Sequence, residues 1–174
     1  IKTHACILLA NLVYYNNNNR VRFLESDGSI EIVINYVRQK EDKSIVEANL
    51  RTLLSLSYLD QVAMWLGTDG DSITLLISLR QVPLVSRDVM RYSLEIICNL
   101  CIHHVNRKKI LDNAGIEALV SLHTDVDAHI RETSVSVIEH LEDVTPAEVL
   151  ARAKQDIGVE RMVQLASNHD PLVR

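Results

Sequence analysis

Aromatic, glycine and proline residues are scarce in this chain of 174 residues. Aromatic residues make up 4% of the sequence, which also contains 5 glycines and 3 prolines. All-β folds need a Gly or Pro turn about every ten residues, so this shortage excludes a turn-rich β-sandwich or β-barrel. Hydrophobic residues still account for 47% of the chain, and most are aliphatic, which favours helices packed on helices. The sequence therefore predicts an all-α fold with a sizeable core.

The chain also lacks long apolar runs, an excess of basic residues and an even number of cysteines. No run approaches the roughly 20 apolar residues that a membrane-spanning helix needs. With 18 basic against 23 acidic residues, a nucleic-acid partner is not expected, because phosphate binding needs a clustered positive field. Three cysteines fit a reducing compartment better than a disulfide framework. We expect a cytoplasmic protein, with any membrane attachment supplied by a lipidated segment upstream of Ile1.

Two sequence patterns recur along the whole chain with nearly the same period. Similar apolar helical stretches occupy residues 5–12, 49–56, 93–100 and 134–141. Their next-to-last positions are spaced by 44, 44 and 41 residues and are occupied by Asn11, Ser55, Asn99 and His140. The second pattern has spacings of 42, 45 and 43 residues and consists of Gly28, Gly70, Gly115 and Gly158. Periods of this length are typical of armadillo and HEAT arrays.

The four regularly spaced glycines are predicted to form the corners between consecutive helices. Without a Cβ, glycine readily adopts the left-handed conformation that ends one helix and lets the next leave at a steep angle. Gly67 is the exception and is expected to lie in an ordinary turn between helices. A loop is predicted at the asparagine run of residues 16–19. Polar breaks that precede longer helices are predicted at residues 39–43, 85–88, 124–127 and 167–170.

The unit of short helix, glycine, middle helix, polar turn and long helix ending in Asn-Leu resembles the armadillo repeat, and residues 106–122 match it most fully. The resemblance implies a right-handed α-solenoid of about four to five repeats, incomplete at both ends and with apolar surface exposed there. Residues 145–166 would form the first two helices of the last repeat, and residues 171–174 would start a third. The implied repeat boundaries are 1–15, 16–58, 59–103, 104–144 and 145–174.

No group of residues has the spacing of a catalytic or metal site. Cys98 and Cys101 are spaced like a redox or metal pair, but two further ligands and a strand-to-helix context are missing. We expect Cys101 and Cys6 to be buried in the core. The histidines are scattered and no His-Glu step occurs, unlike the repeated steps of iron-dependent HEAT-like hydroxylases. The sequence therefore predicts a protein that is not an enzyme and that needs no metal and no cofactor.

The armadillo resemblance also implies a partner-binding groove. In that family the third helices line a concave surface, and the Asn of each Asn-Leu step points into it. An amide offers one acceptor and two donors, which is enough to pair with the backbone of an extended peptide. The candidate groove residues are Asn11, Arg51, Ser55, Arg91, Glu95, Asn99, Ser136 and His140.

Two features of this groove bear on its partner. The Trp that nuclear-import members carry one turn before the Asn is missing, so a nuclear-localisation receptor is not expected. Arg51 and Arg91 instead indicate local positive charge for an acidic segment, limited by Glu47, Glu95 and Glu132. Arg91→Glu would then weaken partner capture with little loss of stability. In the alternative interpretation these are ordinary exposed helix residues, since few interface residues carry binding energy.

We therefore predict a protein–protein interaction adaptor, and the alternative is a regulatory armadillo domain of a larger enzyme or motor-associated protein. Residues 16–19, 158–167 and 170–174 are also similar to those of the apicomplexan armadillo-repeats-only proteins. This closer resemblance implies a lipid-anchored adaptor that positions rhoptries, which are secretory organelles, through a myosin and organelle-associated proteins. The implied location is the cytosolic face of the organelle membrane.

Overall fold

The computed structural model describes residues 1–39, 42–79, 86–114 and 116–167, of which residues 70, 114 and 159–167 are described by their backbone alone. Within these ranges the regular structure is helical and no strand is present, which confirms the all-α prediction. The helices are α1 (Lys2–Val13), α2 (Asn17–Leu24), α3 (Ser29–Gln39), α4 (Lys43–Ser57), α5 (Asp60–Thr68), α6 (Gly70–Ser78), α7 (Arg87–Cys101), α8 (His104–Ala114), α9 (Ile116–Val120), α10 (Ala128–His140) and α11 (Ala147–Ser167). A short 3₁₀ helix, Ser121–Thr124, lies between α9 and α10.

Helices α1, α4, α7 and α10 lie side by side in one layer. Helix α4 packs against α1 on one side and α7 on the other, and α10 packs against α7. Shorter helices form a second layer, in which α3 packs on α4, α6 on α7 and α9 on α10. Because each unit mainly contacts its neighbours along the chain, the structure is an elongated α-solenoid.

Aliphatic side chains from both layers form a continuous core. This core extends from Val33 in α3 to Ala153 in α11. Leu50 in α4 and Leu94 in α7 are fully buried, at positions where the apolar period of the sequence places the inner face of each helix. Burial of one such side chain contributes about 1.5–3 kcal/mol, so the stacking of the helices stabilises the solenoid along its length.

Side-chain caps determine where α4, α7 and α10 begin. The Asp42 carboxylate accepts a hydrogen bond of 2.8 Å from the backbone N–H of Ser44. The Ser86 hydroxyl accepts one from the N–H of Val89, and Asp127 caps α10 in the same way. Each capping residue lies in a predicted polar break, because short polar side chains compete for backbone groups and so favour helix starts. Most of the break at residues 167–170 lies outside the described residues.

The asparagine run at residues 16–19 begins a helix and does not form the predicted loop. Asn16 is the N-cap of α2, and its side chain accepts a hydrogen bond of 3.0 Å from the N–H of Asn19. The Asn19 amide in turn donates to the backbone carbonyl of Leu12 in α1 at 2.6 Å. Asparagine is among the preferred N-cap residues, so a composition that favours a loop is equally suited to a helix start.

The corner prediction holds for the first of the regularly spaced glycines. Gly28 has a φ of 71°, which is the left-handed conformation expected where one helix ends and the next leaves at an angle. Gly70 is the first residue of α6, and Asp69 is the single residue between it and the end of α5. Gly115 lies outside the described residues, as do residues 171–174.

Gly158 is not a corner, and the prediction of two helices across residues 145–166 is wrong. Helix α11 is continuous from Ala147 to Ser167 and passes through Gly158. A glycine inside a helix costs only about 1 kcal/mol relative to alanine. The Ala, Arg, Lys and Gln residues that precede it in the same helix are strong helix formers, and they outweigh that cost.

Gly67, expected to be the exception among the glycines, occupies a position that requires glycine. It is buried in α5, and a Cβ at this position would overlap with the side-chain amide of Asn106 in α8. Asn106 is 1% exposed, and its Nδ2 donates to the carbonyls of Ala63 and Leu100 at 3.2 and 3.1 Å. The close approach of α5 and α8 therefore depends on the missing side chain.

One face of α1 is apolar and exposed, as predicted for an end of the array. Leu8 is 60% exposed and Leu12 is 50% exposed. Ala10 and Val13 are buried, and α1 packs against α4. None of the helices in the described ranges is long and apolar enough to cross a membrane.

Candidate functional site

The sides of α1, α4, α7 and α10 that face away from the second layer form a surface that we call the groove. Seven of the eight candidate residues are at least partly accessible to solvent here. They are Asn11, which is exposed, and the half-buried Arg51, Arg91, Glu95, Asn99, Ser136 and His140. The spacing of the repeated pattern therefore places these side chains on one succession of adjacent helices.

Ser55, the eighth candidate, does not present its hydroxyl to the groove. It is 3% exposed, and its Oγ donates to the backbone carbonyl of Arg51 at 3.0 Å. Serine inside a helix often bonds to the carbonyl of the preceding turn, which uses the donor that an extended ligand would need. The row of polar side chains expected at the repeated positions of the groove is therefore interrupted at α4.

Arg51 is held at the α1 end of the groove by contacts with that helix. Its Nη2 donates a hydrogen bond to Asn11 Oδ1, and its guanidinium carbon lies 5.9 Å from the centre of the Tyr14 ring. A cation this close to an aromatic face is attracted to it. Its Nε is buried and has no hydrogen-bond partner among the described residues. Asn11 and Arg51 are thus brought together, and each occupies part of the other's hydrogen-bonding capacity.

Asn99 keeps an acceptor available in the middle of the groove. Its Nδ2 donates to the Ser57 hydroxyl at 2.8 Å, which ties α7 to α4. The Tyr58 side chain also lies within hydrogen-bonding reach of this amide. No hydrogen bond to Asn99 Oδ1 from another described residue is present. This oxygen can accept a hydrogen bond from a ligand without breaking one of the protein's own.

An open cavity of about 310 Å³ lies between α7 and α10, and its walls include Tyr58, Glu95, Asn99, His129, Glu132 and Ser136. It brings three of the candidate residues together, whereas His140 lies outside it. The Glu95 Oε1 and His129 Nε2 atoms are 2.6 Å apart across the cavity wall. A volume at the lower end of the range for ligand pockets suits a single side chain better than a whole cofactor.

Arg91 does not offer an uncompensated positive charge. Its Nε and Nη2 lie 2.7 and 2.6 Å from Asp127 Oδ2, and its Nη1 lies 3.6 Å from Asp88 Oδ1. The hydrogen bond with Asp127 is the main cause that raises the pKa of Arg91. Burial alone would raise the pKa of Asp127, but hydrogen bonds from Arg91 and from the backbone N–H of His129 lower it. The expectation that Arg91 attracts an acidic partner therefore conflicts with the structure.

We call the part of the groove on α7 and α10 the α7–α10 half, and it is acidic. Two of its guanidinium groups are already paired with carboxylates, Arg87 with Asp125 and Arg91 with Asp127, whereas Glu95 and Glu132 on the cavity wall have no Lys or Arg partner among the described residues. Glu132 is exposed and makes no ion pair with another described residue. Two of the acidic residues that were expected to limit a positive field, Glu95 and Glu132, instead dominate the charge of this region.

Tyrosine side chains in the groove are the feature that the sequence interpretation missed. Tyr14 and Tyr58 follow the repeated positions Asn11 and Ser55 by three residues, so each continues the same side of the chain one turn further on. They are 50% and 58% exposed. Burial raises the pKa of Tyr58, and the nearby Glu95 carboxylate raises it further. The repeated register thus contained a signal, which is an aromatic residue at a fixed offset from two of its positions.

The cysteines are arranged as core or groove-wall residues. Cys101 and Cys6 are buried, as predicted. Burial, and secondarily the neighbouring Cys98, raises the pKa of Cys101 to about 12. Burial also raises the pKa of Cys98, whose thiol donates to the Ser136 hydroxyl at 3.6 Å. Across the described part of the chain, no group of three or more His, Cys, Asp or Glu side chains is placed to hold a metal ion.

Comparison with known proteins gives a fold and no closer relative. No protein-family model and no curated protein matches the chain. A designed armadillo repeat protein in complex with the peptide (KR)4 is 15% identical with a TM-score of 0.72, covering 98% of this chain and 70% of that chain. Computationally designed armadillo repeat proteins for modular peptide recognition include one that is 13% identical with a TM-score of 0.73, again over 98% and 70%.

A further designed armadillo repeat protein is 15% identical with a TM-score of 0.70, and it covers 81% of this chain and 58% of that chain. At these identities the likeness concerns the fold alone. The chain has the armadillo-type α-solenoid fold that the repeated sequence pattern predicts.

Proposed function

We propose that the chain is a protein-interaction scaffold without enzymatic activity, whose groove binds an extended segment of a partner protein. The open cavity beside Asn99 is the main support for this function. Asn99 Oδ1 is available to accept a hydrogen bond from the backbone N–H of such a segment. The exposed rings of Tyr14 and Tyr58 offer apolar contact area of the kind that often anchors an interface.

Two further observations favour a binding role. Designed proteins of the same fold are described as bound to the peptide (KR)4 and as made for modular peptide recognition. The raised pKa values of Cys98 and Cys101 oppose the thiolate form that a nucleophilic cysteine needs. Binding alone is thus sufficient to account for the groove.

The number of helices in the groove sets the length of the segment it can hold. From α1 to α10 there are three spacings between neighbouring helices, each of about 8–10 Å, which gives roughly 24–30 Å. An extended chain advances about 3.3 Å per residue. The groove therefore accommodates about eight residues of a partner.

The cellular role that we propose for this scaffold is the positioning of rhoptries on the cytosolic face of their membrane, through a myosin and organelle-associated proteins. It is supported by the resemblance at residues 16–19, 158–167 and 170–174 to the apicomplexan armadillo-repeats-only proteins. Residues 168–174 lie outside the described residues. The alternative is a regulatory domain of a larger enzyme or motor-associated protein. Imaging the tagged full-length protein together with a rhoptry marker distinguishes the two, because a diffuse or unrelated location contradicts the positioning role.

Selection of peptides from a random library displayed on phage tests the binding function. Selected peptides should bind wild-type protein and lose about tenfold in affinity for Asn99→Ala, because one or two hydrogen bonds of about 1 kcal/mol each are removed. Asn113→Ala is the matched control, since Asn113 is also a helical asparagine whose side-chain amide donates a hydrogen bond within the protein, in this case to the backbone carbonyl of Lys109 at 2.7 Å, but it lies on α8.

Equal affinity of the selected peptides for wild type, Asn99→Ala and Tyr58→Ala would contradict the function, because binding would then occur outside the groove. Circular dichroism of each variant provides the necessary check that a lost affinity reflects the groove and not unfolding.

A further inference from the structure

We propose that the segment bound in the groove is basic, and that its Lys or Arg side chains enter the cavity between α7 and α10. This inference rests on the function proposed above and specifies the chemistry of the partner. It reverses the sequence-based expectation of an acidic partner, which depended on Arg51 and Arg91. Arg91 is already paired with Asp127, and Arg51 lies against Tyr14 at the α1 end of the groove and does not line the cavity.

The charge balance of the α7–α10 half favours a cation. Once Asp127 and Arg91 are paired, Glu95 and Glu132 remain without a Lys or Arg partner among the described residues. Both line the same cavity, so their negative charges repel each other and the field is concentrated at one place. A bound ammonium or guanidinium group relieves this repulsion, whereas an acidic segment adds to it.

The acceptors around the cavity also match a cation with several N–H donors. The contact between Glu95 and His129 uses Oε1, and Glu95 Oε2 has no hydrogen-bond partner in the described part of the chain. Asn99 Oδ1 offers a second acceptor on the wall of the same cavity. Lys and Arg are the side chains that carry three and five donors and no acceptor, so a single Lys or Arg can donate to both oxygens and brings no acceptor of its own that would need a partner.

Tyr58 adds an aromatic face to this set. Its ring is largely exposed and lines the cavity. A cation above a tyrosine ring is attracted by the ring quadrupole, and this attraction adds to that of a nearby carboxylate. The guanidinium of Arg20 lies 5.5 Å from the centre of this ring, so a cation of the partner would share the Tyr58 ring with Arg20.

Fluorescence anisotropy with three labelled peptides of about eight residues tests this inference. One peptide alternates Gln and Ser, the second carries a central Arg-Lys pair in that background, and the third carries a central Glu-Asp pair. The basic peptide should bind at least about tenfold more tightly than the acidic one, with a preference that falls as salt is added. Glu95→Gln and Glu132→Gln should each weaken the basic peptide about three- to fivefold and leave the neutral peptide unchanged.

Glu31→Gln is the matched control, because Glu31 is an exposed glutamate on α3, outside the groove. Its substitution should leave the affinity of all three peptides unchanged. An acidic or neutral peptide that binds as tightly as the basic one overturns the inference, as does a basic peptide that is insensitive to both groove glutamate substitutions or shows no binding at millimolar concentration. If the tightest peptide is still weakened by Asn99→Ala, the groove function stands and only the basic partner is refuted. If Asn99→Ala affects no peptide, the groove function itself fails.

Discussion

Replacing Gly67 with alanine is expected to destabilise the protein, although alanine is the better helix former. Gly67 lies inside α5, and a Cβ there would overlap with the Asn106 amide, which is buried between α5 and α8. Gly158 offers the matched comparison, because it also lies inside a helix and a Cβ built on it meets no other atom within 4 Å. The same substitution should therefore have opposite effects at the two positions.

The magnitude follows from the contacts of Asn106. Alanine in place of glycine inside a helix normally gains about 0.5–1 kcal/mol. At position 67 the added methyl group overpacks a filled site, which costs about 1–3 kcal/mol. If the amide moves away instead, its hydrogen bonds to Ala63 and Leu100 are lost, at about 0.5–1.5 kcal/mol each. The losses exceed the gain, so we expect Gly67→Ala to lower the free energy of unfolding by about 1–2 kcal/mol.

Urea-induced unfolding followed by circular dichroism measures both effects. Gly158→Ala should raise the unfolding midpoint, by the equivalent of about 0.5–1 kcal/mol, and Gly67→Ala should lower it. In a protein that already carries Asn106→Ala, adding Gly67→Ala should no longer lower the unfolding midpoint, because the atoms that the new Cβ meets are then absent. A midpoint raised by Gly67→Ala to the same extent as by Gly158→Ala would refute the reasoning.

Two further predictions concern the cysteines and the ion pair of the groove. Because burial raises the pKa of Cys101 to about 12, iodoacetamide at neutral pH should modify it only on unfolding, and labelling as fast as in urea would contradict this. Asp127→Asn should lower the melting temperature at neutral pH, since it removes the charge paired with Arg91. The pKa of Asp127 is lowered in the folded protein, so its contribution is present above the ordinary value of about 4 and is lost as the pH falls through the folded-state pKa. The two proteins should converge in acid, and a difference that persists there contradicts the ion-pair explanation. Arg91→Glu should also lower the melting temperature at neutral pH, contrary to the sequence-based expectation, because it places a carboxylate beside Asp88 and Asp127.

The layer formed by α1, α4, α7 and α10 was predictable because it depends on patterns within short stretches of sequence. The apolar period determines which side of a helix is buried, and Leu50 and Leu94 are buried accordingly. The polar breaks were predictable for the same reason, since a cap such as Asp42 bonds to a residue only two positions away. Local rules of this kind need no knowledge of the neighbouring repeat.

The roles of the glycines could not be predicted in this way. Glycine is compatible with a left-handed corner, a close approach between helices or a plain helix interior. Gly67 needs its small size because of Asn106, which is 39 residues further along the chain. Gly158 has no such neighbour, so its position in the repeated spacing gave a false signal. Contacts between neighbouring repeats determine which of these three roles a glycine has.

The same limitation applies to the charge of the groove. The sequence pattern places Arg91 and Glu95 on one side of α7, but the partner of Arg91 is Asp127, which is 36 residues away. The ion pair between repeats removes Arg91 as an available cation, and Glu95 and Glu132 on the cavity wall then favour a basic segment. Tyr58 could have been predicted, because it lies three residues after Ser55, the same offset as that of Tyr14 from Asn11.

A nuclear magnetic resonance titration of the isotope-labelled protein with the peptide that carries the central Arg-Lys pair tests the central claim most directly. We expect the largest shifts of backbone amide signals at Tyr58, Glu95, Asn99 and Glu132, on α7, α10 and the end of α4, and only small shifts on α3 and α8. Largest shifts on α3 or α8 would contradict the claim that the groove is the binding surface.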